Sequence, residues 1–220
     1  IELNAFEFFS QAALDKVIKS QGHPAPFKTE TPFYALVEFE TSPMVTDNAI
    51  ALFEQCAAQG WVLDGVVSQS LAQTRALWRL REDISETLWH WQPYKNDISV
   101  RVSKMSDFLA EVDQLVAARY PDFEIVWYGH IGDGNLHLNI LKPEDLPQTE
   151  FFERCGIVSL EIGELLARYG GSISAEHGVG LLKKSLLPYS RSPVEIALMR
   201  SIKTTFDPKS ILNPGKVFDS

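Results

Sequence analysis

Residues 123–128 and 136–141 are two short runs of β-branched, aromatic and aliphatic residues, joined through the turn Gly132-Asp133-Gly134. Runs of this kind bounded by glycine and aspartate signal a strand pair about a tight reversal. Glycine on both sides of Asp133 lets the backbone turn sharply or approach another group closely. This stretch commits the chain to antiparallel sheet near its middle. It also carries chemistry, because Gly129-His-Ile-Gly-Asp-Gly-Asn-Leu-His137 holds two histidines, and Glu176-His177 follows in a second glycine-rich segment.

Further strands are expected at 31–41, 61–67, 97–102 and 172–174, the last delivering Glu176-His177. Helical periodicity covers 47–59, 70–91, 106–120, 149–168 and 192–206. The turn-rich tail 207–216 is not helical. The alternation predicts an α+β fold: an antiparallel sheet with ferredoxin-like elements covered by helices, plus a helical C-terminal part. At 220 residues the chain forms one large domain or two small intertwined units.

A net charge of −9 argues against nucleic acid or an anionic membrane as partner, since both call for a basic surface. An anionic substrate would then depend on locally placed cations. No apolar run approaches the roughly 20 residues of a membrane span. Ile1-Glu2-Leu3-Asn4 lacks the character of a signal peptide. A start at Ile1 suggests a processed product or a piece of something longer. Cys56 and Cys155 lie in apolar, helix-like settings without CxxC spacing and read as buried free thiols in a reducing compartment.

On a strand, residues two apart share a face, so His137 and Asn139 point the same way. His130 lies across the tight turn. With Glu176 the two imidazoles make a two-histidine, one-carboxylate set suited to Zn²⁺, and also to Mn²⁺ or Fe²⁺. His177 is then left to move a proton. A single histidine is more often structural than catalytic; the joint placement in two glycine-rich segments favours function. Arg79, Arg81 and Ser85 share a helical stretch, and Lys95 sits in Pro93-Tyr-Lys-Asn-Asp97. Spacing alone does not distinguish these cations from ordinary solvated ones. The glycines of 129–134 lack the Lys-Ser/Thr of a phosphate loop and do not open a helix after a strand.

Tyr128-Gly-His-Ile-Gly-Asp-Gly-Asn-Leu-His-Leu-Asn139, Ser174-Ala-Glu-His-Gly-Val-Gly180 and Asp207-Pro-Lys-Ser-Ile-Leu-Asn-Pro-Gly-Lys216 resemble the C-terminal half of FAD-linked oxidoreductases acting on 2-hydroxy acids. These belong to the vanillyl-alcohol-oxidase-like flavoprotein superfamily. The likeness runs from Asn4-Ala-Phe-Glu-Phe8 almost to the C-terminus. Leu77-Trp-Arg-Leu-Arg-Glu82 with Tyr94-Lys-Asn-Asp97 resembles the substrate-binding segment of members acting on D-2-hydroxyglutarate. Ser85 stands where those members carry threonine, and the Arg81–Lys95 spacing is one residue shorter. Members acting on lactate or glycolate share the histidine motifs but generally lack the lysine.

The resemblance implies that residues 1–220 are a substrate- and metal-binding domain, with most of the FAD held by an N-terminal domain absent from this chain. His130, His137 and Glu176 would hold the metal. Arg81, Ser85, Lys95, Asn139 and His177 would bind substrate, His177 would act as general base, and Asn213 in the tail would touch the flavin. An unidentified electron acceptor is expected as a partner, homodimerisation is left open, and the expected location is cytoplasmic or, in a eukaryote, the mitochondrial matrix. Outside the family, the same residues would suit a metal hydrolase or a metal-dependent interaction domain.

Overall fold

In a computed structural model describing residues 1–219, the chain divides into two compact units. Among the described residues, the first comprises 1–93 and 125–132, and the second 94–124 and 133 onward. Each unit therefore draws on two stretches of chain. No helix among the described residues is long and apolar enough to cross a membrane.

The first unit contains β1 (Leu3–Ser10), α1 (Gln11–Gln21), β2 (Phe33–Phe39), α2 (Pro43–Ala58), α3 (Leu71–Glu82), α4 (Ile84–Leu88) and β4 (Glu124–His130), all but the first residue of β4 falling within it. β1 lies between β2 and β4 and pairs antiparallel with both. Ser10 ends β1 and caps α1, its hydroxyl accepting from the Ala13 N–H at 3.3 Å. That acceptor satisfies an amide the first helical turn leaves without an internal partner. Val17, Ile84, Leu88 and Val126 are fully buried in this unit.

The second unit contains β3 (Tyr94–Ser99), α5 (Met105–Arg119), β5 (Asn135–Leu141), α6 (Gln148–Tyr169) and α7 (Pro193–Phe206). β3 and β5 pair antiparallel. Leu136, Leu138 and Ile140 are completely buried, so alternation along β5 leaves Asn135, His137 and Asn139 on the opposite face. Phe108, Val112 and Val116 of α5 and Phe151, Val158 and Cys155 of α6 complete an apolar core. α7 begins with a reciprocal capping box between Ser192 and Glu195.

The expected α+β architecture is present, with every observed strand pairing antiparallel. The helix predicted over 70–91 breaks at Asp83, which forms a junction between α3 and α4. Residues 61–67 are not a strand. Trp61, Leu63, Val66 and Val67 are exposed, and the Asp64 carboxylate accepts from the Gly65 N–H at 2.8 Å. This local bond turns the backbone where an extended run would need a pairing partner. Residues 172–174 contribute a single bridge, Ser99 to Ser172. β1 and α1 are elements beyond those expected, and Ala13, Leu14 and Val17 make the buried face of α1. Cys56 and Cys155 are free thiols, the first half-buried; burial pushes the Cys155 thiol up to about 12.

Candidate active site

In each unit, strand register sets a buried carboxylate directly opposite one of the motif histidines. In the first, Glu7 of β1 faces His130 of β4. Cross-strand partners share a face, and here they meet: Glu7 Oε1 lies 2.7 Å from His130 Nδ1. The other carboxylate oxygen forms an ion pair with Arg81 Nη2 at 2.9 Å. Glu7 and Arg81 are both buried, and the Arg81 guanidinium lies over the Tyr128 ring, 4.8 Å from its centroid. Glu7 thus links two residues that the motifs singled out separately. Ser85, one turn beyond Arg81, is exposed.

In the second unit, β3 and β5 align Lys95 with Asn139 and Asp97 with His137. Lys95 is exposed, whereas Asp97 and Asn139 are buried. Asp97 Oδ1 lies 3.4 Å from His137 Nδ1. Its second oxygen, Oδ2, accepts the backbone N–H groups of Glu176 at 3.0 Å and His177 at 3.2 Å. Asn135 donates to Glu176 Oε1 at 2.5 Å. His137 and Glu176 offer ligand atoms within 4.8 Å of each other, and so do Asp97, Glu176 and His177. Glu176 and His177 are exposed, which leaves their side chains accessible to a substrate.

The backbone around this face is closely constrained. Gly134 has φ +78°, and a Cβ there would come 1.9 Å from the Val100 carbonyl oxygen. A larger residue would break the approach that lets Val100 N–H bond the Gly134 carbonyl at 3.1 Å. Lys183 donates to the carbonyls of Asp97 and Ile173, both at 2.9 Å. Burial pulls its ammonium below the usual lysine value, against the attraction of Asp97. The lysine ties β3 to the segment carrying Glu176-His177.

A histidine that ligates a metal ordinarily sets its other ring nitrogen against a carboxylate or carbonyl, which fixes the tautomer. Glu7 supplies that hydrogen bond at His130, and Asp97 Oδ1 faces His137 Nδ1 at the longer ion-pair distance of 3.4 Å. Asp97 Oδ1, Asn135 Oδ1 and Asn139 Oδ1 are buried with no hydrogen-bond partner among the described residues. Buried polar atoms of this kind call for a ligand, water or ion. The donor set therefore fits a divalent ion.

Asn213, expected at the flavin, lies exposed in the tail with φ 46°. The tail is anchored by Asp207, whose carboxylate accepts the N–H groups of Ile211 and Leu212, both at 2.9 Å. Four polar residues of the site carry no role that sequence alone assigns: Glu7, Asp97, Asn135 and Lys183. A signal exists for two of them. Glu7 is a charge within the aromatic run Phe6-Glu7-Phe8-Phe9, and Asp97 is two residues from Lys95 on the same strand.

Residues 1–217 match the family described as FAD linked oxidases, C-terminal domain. The chain is 58% identical over 219 residues to a D-2-hydroxyglutarate dehydrogenase of Stutzerimonas stutzeri, covering 99% of this chain and 47% of that protein. A D-2-hydroxyglutarate dehydrogenase of Xanthomonas citri is 52% identical, covering 100% of this chain and 47% of the relative. The mitochondrial D-2-hydroxyglutarate dehydrogenase of Danio rerio is 37% identical over 97% of this chain and 39% of its own length. The chain thus spans about half the length, or less, of these relatives. In fold it is similar to a 4-ethylphenol oxidase from Gulosibacter chungangensis, with TM-score 0.57 and 13% identity, covering 97% of this chain and 47% of that one. With nearly its whole length matched, the chain belongs to the family of FAD-linked oxidase C-terminal domains.

Proposed function

We propose that this chain is the substrate-binding part of a flavin-dependent dehydrogenase that oxidises D-2-hydroxyglutarate to the corresponding 2-oxo acid. The observation that carries the reading is the β3–β5 register, which aligns Lys95 with Asn139 and Asp97 with His137 while Asp97 holds the Glu176-His177 peptide. One face of the second unit thereby collects a cation, an amide, a ligand histidine, a ligand carboxylate and a candidate base. The names of the bacterial relatives at 58% and 52% identity support the substrate.

His130, His137 and Glu176 would hold a divalent ion, Zn²⁺ first among the candidates, with Mn²⁺ and Fe²⁺ also suited to the donors. When bound, the ion supplies Lewis-acid polarisation of the substrate hydroxyl, and FAD supplies the acceptor for the C2 hydride. His177 takes the hydroxyl proton as general base. Arg81 and Lys95 bind the substrate's carboxylates, and Ser85 and Asn139 add hydrogen bonds. Asn213 contributes an exposed contact to the flavin, most of which is held by a separate N-terminal domain.

The test is His177→Ala in the full-length, flavin-bearing protein. Turnover should fall by about 10²–10⁴-fold, the usual contribution of a general base, while metal content stays at the wild-type level. Loss of metal instead would make His177 a ligand. Hydrolysis of esters or amides without flavin would replace the dehydrogenase reading with that of a hydrolase.

A further inference from the structure

Resting on the metal set proposed above, we propose that Asp97 is the positioning residue of this site. Its carboxylate fixes the ring of one ligand and, at the same time, the backbone that presents the other ligand and the base. Asp97 lies mid-strand in β3, directly opposite His137, and is 8% exposed. Oδ1 faces His137 Nδ1 at 3.4 Å, and Oδ2 accepts the N–H groups of Glu176 and His177 at 3.0 and 3.2 Å.

The backbone of Asp97 serves the same segment. Its carbonyl accepts from the Ala175 N–H at 3.4 Å and from Lys183 Nζ at 2.9 Å. Residues about 80 positions apart in sequence are thus held by one side chain and its own peptide. Charge-assisted bonds to backbone amides are stronger than neutral ones, so a carboxylate here gives the exposed segment a defined geometry.

The division of labour follows from the bonds. Oδ2 is committed to two amides, and Oδ1 faces the His137 ring at 3.4 Å, which assigns Asp97 to holding His137 and the Glu176-His177 peptide; direct ligation through Oδ1 is the alternative that the experiment separates. With the proton on Nδ1 of His137, Nε2 would be the nitrogen left to hold the ion. Asp97→Asn keeps the side-chain shape and an oxygen for the amides but removes the charge facing His137. Asp97→Ala removes both.

The experiment uses the full-length, flavin-bearing protein with zinc as probe, read by chelator competition. Alongside it run long-range ¹⁵N spectra of histidine-labelled protein and amide exchange of the metal-free form. Asp97→Asn should weaken zinc retention by about 10–100-fold, as expected for an outer-shell partner, while still binding one ion per chain. Wild-type His137 should show the Nδ1–H tautomer, and this preference should be lost in Asp97→Asn. In Asp97→Ala the Glu176 and His177 amides should exchange faster than in wild type.

Wild-type zinc affinity and His137 tautomer in Asp97→Asn would overturn the proposal, as would unchanged amide exchange in Asp97→Ala. Complete loss of the ion in Asp97→Asn, matching Glu176→Ala, would overturn it differently by making Asp97 a ligand. If wild type binds no zinc, the metal reading of the previous subsection falls and the zinc-positioning role falls with it. Amide exchange then reports on the Asp97–peptide link alone.

Discussion

At the scale of residues, each unit sets one buried carboxylate opposite a motif histidine. Glu7 is buried against Arg81 at 2.9 Å and His130 at 2.7 Å. Taking one partner from a buried charge pair leaves the other charge uncompensated. Glu7→Gln should therefore lower stability by about 3–5 kcal/mol, measured as a shift in denaturant midpoint at constant slope. A shift no larger than that of an exposed glutamate would show that Arg81 finds another partner. Lys95 provides a test of the proposed substrate. A diacid needs a second cation away from the metal, and in a chain of charge −9 that cation must be placed specifically. In the full-length protein, Lys95→Met should cost about 2–5 kcal/mol in kcat/KM for D-2-hydroxyglutarate and much less for D-lactate. Equal losses on both acids, with D-lactate already the better substrate before mutation, would remove the diacid reading.

At the scale of elements, α7 shows how a helix end secures the tail that follows. Asp207 stands immediately after α7, with its carboxyl held below the usual value of 3.8. The hydrogen bond from Lys203 is the main cause, assisted by the Leu212 and Ile211 amides against the cost of burial. A carboxyl depressed on folding contributes stability that is fully present above its unfolded value, near pH 4, and is lost as pH falls through the lower folded value. Asp207→Asn should thus destabilise the protein at neutral pH and flatten the fall in stability below pH 4. A thermal-denaturation series from pH 2 to 7 compares the two proteins. Identical slopes below pH 4 would show that Asp207 titrates alike in both states.

At the scale of the molecule, two units each built from two stretches of chain each carry some of the proposed site residues. The first holds Arg81, Ser85 and His130, and the second holds Lys95, His137, Asn139, Glu176 and His177. The relatives are about twice as long as this chain, and the family description names FAD. Expressed by itself, the 220-residue chain should purify colourless, with at most weak FAD binding through the tail around Asn213. An absorbance spectrum of the purified protein checks this, and stable flavin at near-stoichiometric occupancy would show that these residues hold the cofactor unaided. Large apolar side chains are exposed on α2 and α7, among them Met44, Leu52, Val194, Leu198 and Phe206. Extensive apolar exposure of this kind marks surfaces that associate.

Much of this protein is determined by local patterns in its sequence. The runs at 123–128 and 136–141 with their glycine turn, the helical periods of α5, α6 and α7, and the glycine-rich histidine motifs are short-range signals. Each depends on residues within a turn or two, so the sequence displays it directly. The tertiary structure alone decided what Glu7, Asp97 and Lys183 do. A lone Glu within aromatic residues, or an Asp on a strand, has no meaning until register sets a partner opposite it. His130 and His137 acquire their carboxylates from residues 123 and 40 positions away. The strand expected over 61–67 and the single helix expected over 70–91 did not form as read: apolar runs become strands only where a neighbouring strand accepts their hydrogen bonds, and the helix breaks at Asp83. Ligand types are properties of single residues and can be read along the chain; their orientation belongs to pairs brought together by folding.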